Sequence, residues 1–502
     1  MPTFLGLDIG TSAVKAVLVA AEAAGAAGVG ETPAGEAVLA EAEAPLSLDR
    51  PRPGWAEQDP EAWWRAAIAV LARLRAAAPA AYAAIGGIGL SGQMHALVAL
   101  GPDDAPLRPA ILWNDARATV EAHRLNETVP GLAQRCGVPA MASFTAPKLL
   151  WLAAHEPEAF RRIGRILLPK DYVRLKLAGE AATDMCDAAG TLMLDEAARD
   201  WDGPAVAATG LARRALPRLV EGSAPSGRLR PAVAAELGLP PGVVVAGGAG
   251  DAAAGAIGIG AAGEGDAFVS LGTSCQLFVS GTAYRPYPEA LVHAFAHGLP
   301  GRWFQMAALL NGASALAWIA DVLGVGTGGI DGLLDRVAAR GLPVSPVTFL
   351  PYLAGERTPH DDPNARGVLV GLDPSTTAED LVQAVIEGVA LSLVDADDAL
   401  AAAGVRPERL AAVGGGSRSR LWMEIAASAL GRPISLYEGG AKGPAFGAAR
   451  LARLAVTGEA VGAVCRPPPI AAIVAPSPAR AEALAERLPR FRALYAALKP
   501  LF

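Results

Sequence analysis

One local pattern occurs twice in this chain. "TFLGLDIGTSAVKAVLVA", from Thr3, and "DAFVSLGTSCQLFVS", from Asp266, each run from an apolar segment through Gly-Thr-Ser into a second apolar segment. Each copy reads as two strands joined by a tight turn, with Phe4–Leu7 and Val14–Val19 flanking the first. The threonines Thr11 and Thr273 stand 273 − 11 = 262 residues apart in a chain of 502. That spacing predicts two related halves, because a single core stops growing at about 250–300 residues. Glycine lets such a turn close tightly, and its exposed N–H groups and hydroxyls can converge on an anion. Two halves packed face to face would grip a polyphosphate from opposite sides.

The rest of the chain alternates strands with helices. An Ala/Gly/Glu-rich connection, Ala20–Gly35, leads to a third strand at Glu36–Ala44 and is assigned no function. Asp59-Pro60-Glu61 starts a helix running to about Ala77: a side-chain cap, a proline in the first turn and an acid near the positive end. Strand Ile85–Leu90 enters Ser91-Gly92-Gln93-Met94-His95, and a more helical stretch follows to about Leu177. Strand Val243–Ala246 meets Gly247-Gly248-Ala249-Gly250, with Asp251 heading a helix of small residues. Late in the chain, Leu410–Val413 meets Gly414-Gly415-Gly416-Ser417, and a helix spans about Arg420 to Leu430. The expected fold is α/β, with two domains at 1–260 and 261–502.

Charge and cysteines narrow the function classes. A net charge of −7 without a dense Lys/Arg cluster argues against nucleic acid as a partner. Cys136, Cys186, Cys275 and Cys465 are scattered, which suits a reducing compartment better than a disulfide framework. With no basic leader and no twenty-residue apolar span, the expectation is a cytoplasmic protein without a membrane partner. His293 and His297 lie four apart in "LVHAFAHGLP", but no third ligand is in sight; packing explains them better than zinc.

Several residues carry chemistry. There is no Gly-Lys dipeptide and hence no P-loop, so a nucleotide would be held in another way. Asp8, ending a buried strand beside the first turn, is placed either to hold a hydrated Mg²⁺ or to cap the turn. Lys15 either meets a phosphate or is solvated. Gly248-Ala249-Gly250-Asp251-Ala252-Ala253 fits a relaxed dinucleotide fingerprint, but Asp251 would aim a carboxylate at the pyrophosphate, and no acid ends the next strand. An acid in a glycine-walled loop can serve as a general base or as a helix N-cap.

Taken together, Asp8-Ile9-Gly10-Thr11-Ser12, "WAEQDPEAWW" from Trp55, "SGQMH" from Ser91 and "RPAILWNDAR" from Arg108 resemble the FGGY family of carbohydrate kinases, and within it the xylulokinase branch. "FTAPKLLW" from Phe144, "LLPKDYVRLKL" from Leu167, "SLGTS" from Ser270, "FLPYLAGERTPH" from Phe349 and "VGGGSRS" from Val413 extend the match over nearly the whole chain. The resemblance implies two ribonuclease-H-like domains of the actin and hexokinase type, with a cleft between them. It implies ATP and Mg²⁺ as cofactors and a small sugar as substrate: a pentulose, D-xylulose, phosphorylated at its 5-hydroxyl. It makes Asp251 the catalytic base and places Met94, His95, Trp113, Asn114 and Asp115 around the sugar. Asp8 falls at the metal, and Thr11, Ser12, Lys15, Gly272 and Thr273 at the ATP phosphates. Gly312, Gly415, Gly416, Ser417 and Arg420 fall around adenosine. A homodimer is left open.

One departure concerns specificity. Where the branch commonly has Asn after the catalytic acid, this chain has Ala252, and a methyl group there supplies neither donor nor acceptor. The rival readings are a kinase of another ketose or polyol such as ribulose or glycerol, a non-catalytic actin- or chaperone-like nucleotide switch, and a dehydrogenase.

Overall fold

The computed structural model describes residues 2–21, 36–438 and 443–502. Beyond Ala21, the Ala20–Gly35 connection lies outside them. The first half opens with β1 (Thr3–Ile9), β2 (Ala13–Ala21) and β3 (Glu36–Pro45), followed by helix α1 (Pro60–Ala77) and β4 (Ile85–Gly92). Helix α2 (Pro169–Ala178), β5 (Pro225–Arg228), β6 (Val244–Ala246) and helix α3 (Asp251–Gly258) complete what positions the site. The second half supplies β7 (Asp266–Leu271), β8 (Cys275–Gly281), β9 (His293–Ala296), β10 (Trp303–Leu309) and β11 (Arg409–Val413). It ends with α4 (Arg420–Leu430), β12 (Ile434–Tyr437), α5 (Pro444–Thr457), β13 (Ile470–Val474) and α6 (Pro478–Leu498).

The repeated turn belongs to a repeated sheet. In the first sheet β1 pairs antiparallel with β2 and β2 with β3; β4 joins β1 in parallel, β6 joins β4 in parallel, and β5 closes the edge antiparallel. The second sheet repeats each step: β8 against β7, β10 against β8, then β11 and β12 in parallel, then β13 antiparallel. Its one addition is β9, antiparallel on the outside of β10. Every residue of β1 is buried, as expected of a strand covered on both faces, which reads as a nearly continuous apolar run.

Local chemistry sets the element boundaries. At the start of α1, Asp59 Oδ1 accepts from the Glu61 N–H at 3.0 Å with Pro60 in the first turn, and Trp63, Val70, Leu71 and Leu74 go into the core. Helix α4 spans the stretch expected for it from the sequence. All four cysteines are free and buried. Among the described residues, no single helix is long and apolar enough to cross a membrane.

The halves are interlocked, which the strand and helix pattern does not announce. Helix α5 belongs to the second half but lies on the first sheet. A Cβ on Gly6 of β1 would overlap the Ala445 carbonyl oxygen, and one on Gly89 of β4 the Ala448 oxygen. The same helix crosses α3 closely enough that a Cβ on Gly447 would overlap the Ala254 oxygen. Helix α3 in turn contributes Ala253, Ala254 and Ile257 to a core shared with Phe268, Phe278 and Phe304 of the second sheet. Arg450 ties the junction together: its guanidinium reaches the Ile257 carbonyl at 2.7 Å, Glu36 at 2.6 Å and the Arg466 carbonyl at 2.8 Å. Strand β9 docks the other way, the Ala294 N–H donating to the Gly137 carbonyl at 3.0 Å.

Candidate active site

Two carboxylates meet where the halves face each other. Asp8 lies in register with Lys15 of β2 on one side and Ser91 of β4 on the other. Ser91 Oγ donates to Asp8 Oδ1 at 3.1 Å. Burial and then the nearby charge of Asp251 push the Asp8 carboxyl up to about 7, against the Ser91 hydrogen bond and Lys15. Asp251 is the first residue of α3, and its Oδ1 accepts from the Ala252 N–H at 2.8 Å. Its side chain is open to the cleft, but protein walls remove most of the bulk water around it; desolvation pushes its pKa up to about 6.

The turn before Asp251 needs its glycines. Gly248 has φ +84°, and a Cβ there would run into the Leu90 carbonyl oxygen; one on Gly250 would run into Met94. Met94 is thus packed under the loop that presents the acid. The cleft beside Asp251 has a volume of about 340 Å³, with Ala252, Ser270, Gln276, Gly414 and Pro444 among its walls.

The Gln-Met-His segment builds a neighbouring wall. His95 has φ +71°, and its carbonyl accepts from Lys148 Nζ at 2.8 Å and Thr145 Oγ1 at 3.1 Å. Its Nδ1 lies 3.0 Å from the Gly190 carbonyl. A carbonyl only accepts, so Nδ1 carries the hydrogen. Burial pushes the imidazole down to about 3, so the ring is neutral and Nε2 remains as an acceptor. Trp113, 43% exposed, donates through Nε1 to Thr11 Oγ1 at 3.0 Å, and Thr11 Oγ1 donates to Gln93 Oε1 at 3.0 Å. Asn114 Oδ1 is buried without a partner.

The turns of the second half stack on one another. The Thr273 carbonyl accepts from the N–H groups of Gly312 at 3.0 Å and Ser314 at 3.2 Å, and the Gly272 carbonyl from Ala313 at 2.7 Å. A Cβ on Gly312 would meet the Gly272 and Ser274 oxygens at 2.7 and 2.6 Å. Gly414, at φ +90°, closes against the Leu271 carbonyl, and Ser417 Oγ donates to Gly414 O at 2.7 Å. The result is a layered glycine surface at the ends of β7 and β11, where backbone can approach a phosphate closely.

Comparison with known proteins settles the family. Residues 3–258 match the FGGY family of carbohydrate kinases, N-terminal domain, and residues 267–456 match its C-terminal domain. The chain belongs to the FGGY carbohydrate kinases. It is 42% identical over 499 residues to the xylulose kinase of Klebsiella pneumoniae, covering 99% of each chain. A crystal structure of a xyloylose kinase from Brucella ovis superposes over 100% of both chains at 46% identity and a TM-score of 0.94. The xylulose kinase of Rhodospirillum rubrum does so over 99% of both at 32% identity and 0.89. This FGGY kinase therefore has the two-domain actin- and hexokinase-like fold and transfers a phosphoryl group from ATP to a small sugar.

The residues singled out from the sequence separate into groups in this FGGY kinase. Asp8, Met94 and Asp251 are brought together, with His95, Trp113 and Asn114 on the Gln-Met-His side. Ser12, Lys15, Gly415 and Arg420 are exposed, and Gly416 is buried against Leu271. Thr11 differs from its counterpart: its hydroxyl is occupied by Gln93 and Trp113, whereas that of Thr273 has no hydrogen-bond partner among the described residues. Asp115 is engaged within its own loop. It is buried, and its carboxylate accepts from the Ala56 N–H at 2.6 Å and from Arg117 Nε and Nη2 at 2.9 and 2.7 Å, so it braces its own loop.

Two supports were not singled out from the sequence. Gln58, within "WAEQDPEAWW", donates to the Thr11 carbonyl at 2.7 Å and the Ser47 carbonyl at 2.9 Å, fixing the first turn. Behind the glycine turn that leads to Asp251, Lys170 Nζ sits among Asp171, Asp184 and Asp187 at 2.6, 2.6 and 3.0 Å, all fully buried. The ammonium fills the centre a cation would take. Beside it, Arg174 donates to the carbonyls of Ala246, at 2.7 Å, and Gly247, at the start of the glycine turn. "LLPKDYVRLKL" was the available signal, but charges in a helical pattern read as a solvated face until the fold buries them.

Proposed function

We propose that this FGGY kinase phosphorylates a pentulose, D-xylulose, at its 5-hydroxyl. The observation that carries the reading is Asp251: a carboxylate heading α3, open to the cleft, with a pKa raised into the range of a general base. Its carboxylate accepts the proton of the sugar O5–H as that oxygen attacks the γ-phosphorus. The bond from the γ-phosphorus to the ADP bridging oxygen breaks, and ADP takes the electron pair. Residues 1–260 supply the acid and the sugar wall; residues 261–502 supply the glycine surface for ATP. The Thr273 hydroxyl, without a hydrogen-bond partner among the described residues, fits a phosphate contact, while Thr11 fits as a brace for Trp113 and Gln93. The xylulose kinases similar over almost their full length support this choice of sugar.

The residues also fit Mg²⁺. Asp8 and Asp251 repel each other, Lys15 offsets this in part, and such a hard-oxygen site suits a hydrated divalent ion. When bound, the ion neutralises charge on the phosphates. Lobe closure around the sugar excludes water, which would otherwise compete as acceptor.

The test is ADP release against a panel of ketoses and polyols, with NAD reduction followed in parallel. D-xylulose should have the highest kcat/KM. A higher value for ribulose or glycerol would overturn the sugar assignment, and Ala252 is the residue that makes this outcome worth measuring.

A further inference from the structure

We propose that Arg357, from the second half, contacts the sugar and reads the hydroxymethyl ketone end, C1 and C2, of a bound pentulose. The proposal rests on the pentulose reading above and extends it to a residue on the opposite side of the cleft.

The segment carrying Arg357 is rigidly held. The Thr358 N–H donates to the Ala308 carbonyl of β10, and Thr358 Oγ1 accepts from the Ala308 N–H and donates to the Leu291 carbonyl, each at 3.1 Å. The Arg357 N–H donates to Glu356 Oε1 at 2.8 Å, and its carbonyl accepts from the Asp361 N–H at 2.7 Å. This anchors Arg357 beside β9, the strand that crosses to the first half. There the Phe295 ring lies 6.5 Å from His95 and 5.4 Å from His293. Both histidines feel the positive charge of Arg357.

The guanidinium itself is partly buried, but it makes no hydrogen bond or ion pair with any described residue. Desolvation weakens its hold on its proton in spite of Glu356 and Asp361 nearby. The buried arginines Arg174 and Arg450, in contrast, are engaged by carboxylates and carbonyls. A partly desolvated cation whose donors have no hydrogen-bond acceptor among the described residues is unfavourable, and an acceptor-bearing ligand relieves it.

The choice of ligand group follows from position. Thr358, next to Arg357, is bonded to Leu291 just before β9, and Phe295 of β9 lies beside His95, whose imidazole also feels the charge of Arg357. Arg357 is therefore placed on the sugar-wall side of the cleft. With the 5-hydroxyl at Asp251, the far end of a five-carbon ketose is C1–C2. There a ketone oxygen, which only accepts, and a neighbouring hydroxyl match a planar fork that only donates.

The experiment compares wild type with Arg357→Met and Arg357→Lys on D-xylulose and 1-deoxy-D-xylulose, measuring kcat, sugar KM and ATP KM. Arg357→Met should raise the D-xylulose KM ~10- to 100-fold while ATP KM stays within about twofold. The wild-type preference for D-xylulose over the deoxy analogue should largely disappear in Arg357→Met. Arg357→Lys should recover part of the affinity without the preference, and its retained charge separates recognition from folding. An unchanged sugar KM, an intact preference, or a loss confined to kcat and ATP KM overturns the assignment. A wild-type enzyme that turns over a different sugar and no pentulose overturns the pentulose reading instead. The contact with sugar then stands only if Arg357→Met raises the KM for that substrate.

Discussion

At the scale of single residues, Asp251 and Asp8 make opposite demands on pH. In the base role proposed for it, Asp251 must be ionised to accept a proton, and burial raises its pKa to about 6. The kcat/KM should therefore fall as pH drops through about 6 and reach a plateau above about 7. Asp251→Asn should keep the fold and ATP binding but lose about 10²- to 10⁴-fold in turnover; near-normal activity in a steady-state assay would remove it as the base. Asp8 is an acid whose pKa in the folded state, about 7, lies above its ordinary 3.8, so the fold favours its protonated form. That contribution is complete below the unfolded pKa and is lost as pH rises through about 7. Asp8→Asn should then raise stability at pH 8 by roughly 1–3 kcal/mol, and the gain should vanish toward pH 4 in denaturant titrations. The placement of both acids was legible in the sequence, one in a strand that ends at the first turn and one at a glycine turn, where a carboxylate has chemical work available. The bracing of Asp115 and the position of Arg357 were not legible, for a different reason. What decides them is the presence or absence of partners about sixty residues or more away, as with Ala56 for the one and the histidines His95 and His293 for the other.

At the scale of elements, boundaries were legible where local chemistry sets them and placement was not. The Asp59 cap fixes α1, and α4 starts from the Ser419 side chain, which accepts from the Trp422 N–H at 3.2 Å. Nothing in the 3.6-residue pattern of α5 tells that it packs on the other half's sheet. Its signature is a set of glycines far apart in sequence, Gly6, Gly89 and Gly447, each meeting backbone where a methyl group would overlap. Gly447→Ala should destabilise the protein by about 2–4 kcal/mol, since backbone on both sides leaves no flexible group to yield. Gly462→Ala, where an added Cβ meets nothing within 4 Å, should stay within about 0.5 kcal/mol. Urea midpoints of the two variants decide the point: equal midpoints would mean that the α3–α5 crossing is not tight.

At the scale of the whole molecule, duplication and exchange act together. The repeated Gly-Thr-Ser turn announced two halves, and the two sheets share one order of pairing. The exchanged helix makes those halves a single folding unit. Without α5, the first sheet would expose Phe4, Val17 and Val19, which now pack with Phe446, Ala449 and Ala452. It would also lose the Arg450 link to Glu36 and to the end of α3. Uncovered apolar surface of this kind destabilises by about 25 cal/mol per Å², and an isolated half has no second helix to cover it. The full chain should therefore unfold in one calorimetric transition despite its length. Residues 1–260 alone should show secondary structure by far-ultraviolet circular dichroism but no cooperative melt, and should bind a hydrophobic dye. Adding residues 261–502 should restore the cooperative melt, because α5 comes back with them. If residues 1–260 alone melt cooperatively near the midpoint of the full chain, the sheets do not depend on the exchanged helix, and any coupling of Asp251 to the glycine surface of the second half must come through ligands alone.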